Sequence, residues 1–174
     1  MNTITRVGMA SATLDLQSPA ERQPILNLSW STIHEAIDVL SHMVKPMRPH
    51  LIVAIARGGL IPATMLSHKL NCPLETISAS SYEGTRRTLQ KPTQIEGWKP
   101  EYAQEHVLIV DDIMDTGKTW DAILYGDGRL ATSMKAKLCT LFKKTEARFP
   151  NFNTYYAQVP QHMWVKFPWE GNET

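Results

Sequence analysis

The chain has 174 residues, 43% hydrophobic and 20% charged, enough for one domain with a substantial core and too few for two. A formal net charge of +1 supplies no global pull toward nucleic acid or an anionic membrane, so neither is an expected partner and any anion site has to be local. The longest purely apolar runs, Leu51–Ala56 and Val107–Val110, fall far short of a bilayer span.

The first residues carry scattered polar groups and no apolar segment of the kind a secretion signal has. Cys72 and Cys139 are the only cysteines. That is too few for a secreted disulfide scaffold, so a cytoplasmic location with both thiols reduced is expected. The six histidines show no zinc-ligand spacing.

Residues 1–28 have weak periodicity and are expected to form a flexible extension. Residues 29–174 form the domain. Ile33, Ala36, Ile37, Leu40 and Val44 share one helical face, with Thr32 and Glu35 spaced as a capping box and Pro46 and Pro49 as the stop. Leu51–Ala56 is apolar on both faces, as a strand covered by helices on both sides must be. Arg57-Gly58-Gly59 forms the turn after it, and Pro62, Leu66 and Leu70 belong to the next helix. Glu75–Ser80 alternates like a strand, and residues 83–105 are expected to be a long mobile loop. Val107–Asp111 is a second buried strand. A helix carrying Trp120, Ile123 and Leu124 follows, ending near Gly126 to Gly128, and further strands are expected at Ala136–Phe142 and Tyr155–Val159. Strands alternating with helices predict an α/β fold with a mainly parallel sheet.

The chemistry concentrates at the end of the second buried strand. Asp115-Thr116-Gly117-Lys118-Thr119 fits a phosphate cradle. The backbone amides at a helix start face an anion, Gly117 permits close approach, and the hydroxyls of Thr116 and Thr119 add donors. A Walker-type loop would need glycine at position 112, where the chain has Asp112. Asp111 and Asp112 would repel a bare phosphate. They suit a ligand that also brings hydroxyls and a divalent cation, such as a sugar phosphate with pyrophosphate and Mg²⁺. Arg57, Gly58 and Gly59 read either as a strand-to-helix turn or as a pyrophosphate loop. Trp164 and Trp169 read either as packing or as a face for a flat heterocycle.

The stretch VLIVDDIMDTGKT, Val107 to Thr119, resembles the phosphoribosyl-pyrophosphate (PRPP) signature of type I phosphoribosyltransferases. IARGGLIP, Ser80-Ser81-Tyr82 and the end WVKFPWE extend the resemblance over most of the chain, and the end is similar to that of bacterial xanthine-guanine enzymes. The resemblance implies a five-stranded, mainly parallel sheet flanked by helices, with a small hood near residues 144–174. It implies a cis peptide at Ala56–Arg57, a homo-oligomer (dimer or tetramer), and transfer of phosphoribose from PRPP to a 6-oxopurine (xanthine, guanine or hypoxanthine) in purine salvage. In that reading Asp111 and Asp112 hold the ribose hydroxyls, with Mg²⁺ at Asp112, and Asp115 is the proton acceptor at the base. Arg57, Gly58, Gly59 and Arg86 or Arg87 serve the pyrophosphate. Thr116, Gly117, Lys118 and Thr119 hold the 5′-phosphate. Asp115, Lys144, Trp164 and Val165 surround the base.

The chain departs from the xanthine-guanine pattern at Lys118, where those enzymes have glycine, and in its longer N-terminal segment. It departs again at Lys166, where they carry an acid near the purine 2-position. Lysine accepts no hydrogen bond, so the resemblance favours hypoxanthine or xanthine over guanine. The alternative is a regulator that senses PRPP or a nucleotide with the same fold.

Overall fold

Leu51–Ala56, Val107–Val110 and Leu138–Phe142 have no polar face to offer water, so they have to lie between two covering layers. The computed structural model describes residues 23–80, 94–103, 106–125, 136–147 and 153–171, and it sets these three runs side by side in one sheet. The elements are β1 (Ile25–Asn27), α1 (Trp30–Val44), β2 (Leu51–Ala56), α2 (Leu60–Leu70), β3 (Leu74–Ser80) and β4 (Gln94–Glu96). β5 (Val107–Met114), α3 (Lys118–Tyr125), β6 (Lys137–Lys144), β7 (Asn153–Val159) and β8 (Trp164–Lys166) follow. Short 3₁₀ turns occupy Lys45–Met47 and Pro100–Ala103.

The main sheet has the order β4-β3-β2-β5-β6-β7. β3, β2, β5, β6 and β7 are the five parallel strands expected, and β4 adds an antiparallel edge on β3. Side chains alternate across it. Ile52, Ala54, Leu108, Val110, Cys139 and Leu141 face α1 and α2. Val53, Ile55, Ile109 and Leu138 face the other way, toward Trp120, Ile123 and Tyr102.

α1 buries the stripe read from the sequence, Ile33, Ala36, Ile37, Leu40 and Val44. Its cap differs. The helix starts at Trp30, before the expected Thr32, and Ser29 Oγ accepts from Thr32 N at 3.2 Å. Thr32 is therefore the capped residue, not the cap. The helix gives way to the 3₁₀ turn holding Pro46, which has no N–H to continue the ladder.

Two expected loose segments are partly ordered. Ile25–Asn27, inside the expected extension, pairs in parallel with Trp164–Lys166 as a separate two-stranded sheet. In the expected loop, Gln94–Glu96 pairs with β3, and Tyr102 is buried edge-on to Trp98 at 5.6 Å. Glu75 accepts from both Tyr102 Oη and Lys99 Nζ. Three-residue strands are too short to show a period, and their partners are remote in sequence. Arg86 and Arg87, with Ser81 and Tyr82, lie outside the described residues. β5 also runs past the expected Asp111 to Met114, because β6 continues to pair with it through Met114↔Lys143.

The hood segment shares its core with the sheet. Val165 and Phe167 are buried in the cluster that holds α1, α2 and the strand residues above. Phe167 stacks on Trp169 at 4.7 Å, and Trp169 meets Trp30 at the start of α1 at 5.9 Å. Phe167→Ala is therefore expected to destabilise the whole chain by about 3–5 kcal/mol in one urea transition. A separate early transition for the hood would show instead that it folds apart from the sheet.

Candidate active site

Parallel strands end at one edge, and ligands of open α/β sheets bind beyond it. Here β2 ends in Arg57-Gly58-Gly59, β5 in the acids, and β6 in Lys144. The Ala56–Arg57 peptide is cis, as the resemblance implied. Arg57 is exposed. The two glycines have a steric cause. A Cβ at Gly58 would lie 2.2 Å from Asp112 Oδ2, and one at Gly59 would lie 2.4 Å from the Val110 carbonyl oxygen and 2.7 Å from that of Ile55. The turn thus lies directly against β5, and Gly59 N donates to Ile55 O at 2.9 Å.

Asp111 and Asp112 sit inside the last part of β5 instead of following it. Asp111 Oδ1 accepts from Asp112 N at 3.0 Å, and Asp112 Oδ1 accepts from Ile113 N at 2.7 Å. Burial, and then repulsion by Asp112, pushes the Asp111 carboxyl well above the usual carboxylate range. Asp112 is pushed up to about 6, first by burial, with the charge of Glu170 adding to it and the Ile113 amide opposing it. Among the described residues no three His, Cys, Asp or Glu side chains converge into a metal cage. Two crowded carboxylates with open oxygens fit Mg²⁺, which keeps water and substrate oxygens in its shell. They do not fit a structural zinc site.

The cradle follows. Gly117 has φ +89°, a conformation side chains resist. It turns the chain so that α3 begins at Lys118, with Lys118 N donating to Thr116 Oγ1 at 3.4 Å and Asp121 N to Gly117 O at 2.9 Å. Thr116 and Lys118 are exposed and Thr119 is half-buried, so this helix start is within reach of an anion.

Beside the cradle lies a cavity of about 340 Å³. Asp115, Lys144, Trp164 and Val165, from three separate points in the sequence, all line it. Trp164 is 54% exposed, which leaves its ring free to cover a flat ligand, and Val165 is buried beneath. Lys144 is 4% exposed. Its Nζ donates to the carbonyls of Met163 and of Gln161, the latter at 3.3 Å. An ammonium has three N–H groups, so one remains for a ligand.

Sequence reasoning missed Gln161 and Glu170 in this wall. Gln161 Nε2 donates to Asp115 Oδ1 at 3.3 Å. One oxygen of Glu170, Oε2, accepts from Phe167 N at 3.1 Å, leaving the other for the cavity. A lone Gln or Glu near a chain end carries no sequence signal; only the fold brings them to Asp115 and Lys144. Lys166 is absent from the wall. It is half-buried in register with Asn27, and its carbonyl accepts from Leu28 N at 2.9 Å.

The phosphoribosyl transferase domain family matches residues 30–170. A xanthine-guanine phosphoribosyltransferase of Nitratidesulfovibrio vulgaris (strain DP4) is 32% identical over 164 residues, 88% of this chain and 90% of that protein. The crystal structure of a purine phosphoribosyltransferase from Pyrococcus horikoshii has a TM-score of 0.70 at 30% identity, covering 86% of this chain and 97% of that one. A Helicobacter pylori xanthine-guanine-hypoxanthine phosphoribosyltransferase has a TM-score of 0.67 at 26% identity, covering 84% and 94%.

The raised carboxyls have a thermodynamic consequence. Asp112 held up at about 6 keeps its proton where the unfolded chain, near its ordinary 3.8, has lost it. Stability therefore falls as pH rises from about 4 to about 6, and the penalty is fully present above that. Without ligand at pH 8, Asp112→Asn is expected to be more stable than the parent by on the order of 2–3 kcal/mol, the gap closing toward pH 4. Urea unfolding across that range reads it, and equal stability at pH 8 would refute the strain assigned to this acid.

Proposed function

The chain belongs to the phosphoribosyl transferase domain family and is a purine phosphoribosyltransferase; from that premise we propose the reaction it performs. It transfers the 5-phosphoribosyl group of PRPP to a 6-oxopurine, releasing pyrophosphate and forming the nucleoside 5′-monophosphate in purine salvage. What supports this reading is that Asp115, Lys144 and Trp164 line one cavity next to the phosphate cradle, so one ligand meets an acceptor, a cation and an aromatic face together.

The purine stacks on Trp164 over Val165, and the Lys144 ammonium donates to its 6-oxo group. The 5′-phosphate rests on the amides of Thr116 to Thr119. Asp111 and Asp112 accept from the ribose hydroxyls. As pyrophosphate leaves C1′, the sugar gains oxocarbenium character, and the two carboxylates below it counter that charge. The base nitrogen forms the new bond to C1′ and gives its proton to Asp115. Arg57 and one of Arg86 or Arg87 attract the pyrophosphate. Mg²⁺ held at Asp112 would supply further positive charge to the pyrophosphate and ribose oxygens.

Glu170 alters the expected base preference. Lys166 in place of an acid argued against guanine, yet a carboxylate does face the cavity, from Glu170. Its open oxygen is an acceptor for the 2-amino group, so guanine joins the substrates favoured.

Pyrophosphate release with PRPP, Mg²⁺ and guanine, xanthine, hypoxanthine or adenine tests the reaction. Turnover of the oxopurines but not adenine is expected; turnover of adenine alone would refute the role of Lys144. Asp115→Asn is expected to lower kcat by about 10²–10³-fold with KM for PRPP little changed, and equal loss in both would sink its assignment. Glu170→Leu is expected to lower the guanine-to-hypoxanthine ratio of kcat/KM about tenfold or more. An unchanged ratio returns base choice to another residue.

A further inference from the structure

Gln161, in the cavity wall, bonds to two of its other residues and to Thr145 behind Lys144. Its Nε2 donates to Asp115 Oδ1 at 3.3 Å, its carbonyl accepts from Lys144 Nζ at 3.3 Å, and its own N–H donates to Thr145 Oγ1 at 3.1 Å. The backbone bonds fix where Gln161 starts, and the side chain then reaches the carboxylate. An ionised carboxylate only accepts hydrogen bonds, so the amide has to present Nε2 to it. That places Oε1 on the other side, where it is buried and has no partner among the described residues. A buried carbonyl oxygen in a cavity wall is completed by an N–H brought by a ligand.

We propose that Gln161 is a positioning residue for Asp115: its carboxamide holds Oδ1, leaving Oδ2 aimed at the base, and its carbonyl ties that carboxylate to the Lys144 cation. The inference rests on the transferase reading above. Proton transfer is efficient only with donor and acceptor within hydrogen-bond reach and aligned. Asp115 is exposed at a turn, so without a tether its carboxylate would rotate. Because the same residue touches the acceptor and the cation, a shift of the hood would move both ends of the base site together.

The test compares the parent, Gln161→Leu and Gln161→Glu in steady-state turnover of PRPP with the best purine between pH 5.5 and 9. Thermal melting serves as the folding control. Gln161→Leu is expected to lose kcat about 10–100-fold, with KM for PRPP within about twofold. Gln161→Glu is expected to lose kcat as well, because a second carboxylate then faces the first and has no N–H to hold it. It also carries the test if the leucine variant fails to fold. An unchanged kcat overturns the assignment, as does a rise in KM for PRPP matching the loss in kcat. If the parent turns over no purine, the transferase reading fails and takes this inference with it, an outcome distinct from a parent that works and variants that do not differ.

Discussion

The ends of β2 and β5 come together only because positions 58 and 59 have no side chains. The Asp112 carboxylate occupies the space a Cβ at Gly58 would need, and the carbonyls of Val110 and Ile55 occupy that of Gly59. Carbonyl oxygens in a paired strand have little room to retreat, so this approach tolerates no methyl group. Everything at the sheet edge depends on it. It sets the cis turn carrying Arg57 against the acids of β5. A turn carrying one guanidinium thereby lies beside an acid-rich strand end.

The same closeness is electrostatically unfavourable. Asp111 and Asp112 are adjacent and pushed up in pKa chiefly by burial, with the charge of Asp112 adding to it at Asp111 and that of Glu170 at Asp112. A protein selected for stability alone would not keep two such acids. Their cost is offset when a ligand brings hydroxyl donors and positive charge into the site, so binding and the relief of repulsion are one event. A helix N-terminus next to two carboxylates is contradictory for a bare anion. It is consistent for a molecule with phosphate at one end and sugar hydroxyls in the middle.

The base end is assembled differently. Its pieces come from the turn after β5, the end of β6 and the C-terminal segment, held together by packing instead of by sequence proximity. Phe167 and Val165 sink into the core shared with α1, and β1 closes the small sheet from the other end of the chain. Lys144 is drawn across by the carbonyls of Gln161 and Met163. This C-terminal segment is thus an outgrowth of the main core, and its polar atoms are held in place by that packing.

Local pattern was enough to read the buried strands, the apolar stripe of α1, the turn from Asp115 into α3 and the placing of Asp111, Asp112 and Arg57 at one edge. Each depends on residues close in sequence or on the rule that parallel strands end together. It was not enough for β1 and β4, whose three residues are strands only because β8 and β3 lie beside them. Nor could it show that β5 runs on through its acids, that Glu170 rather than Lys166 faces the cavity, or that Gln161 reaches Asp115 across 46 positions. Those are contacts between remote segments. Sequence carries the periodicity that selects each element and the residue types that suit a chemistry, whereas which side chains meet is decided by how the elements pack.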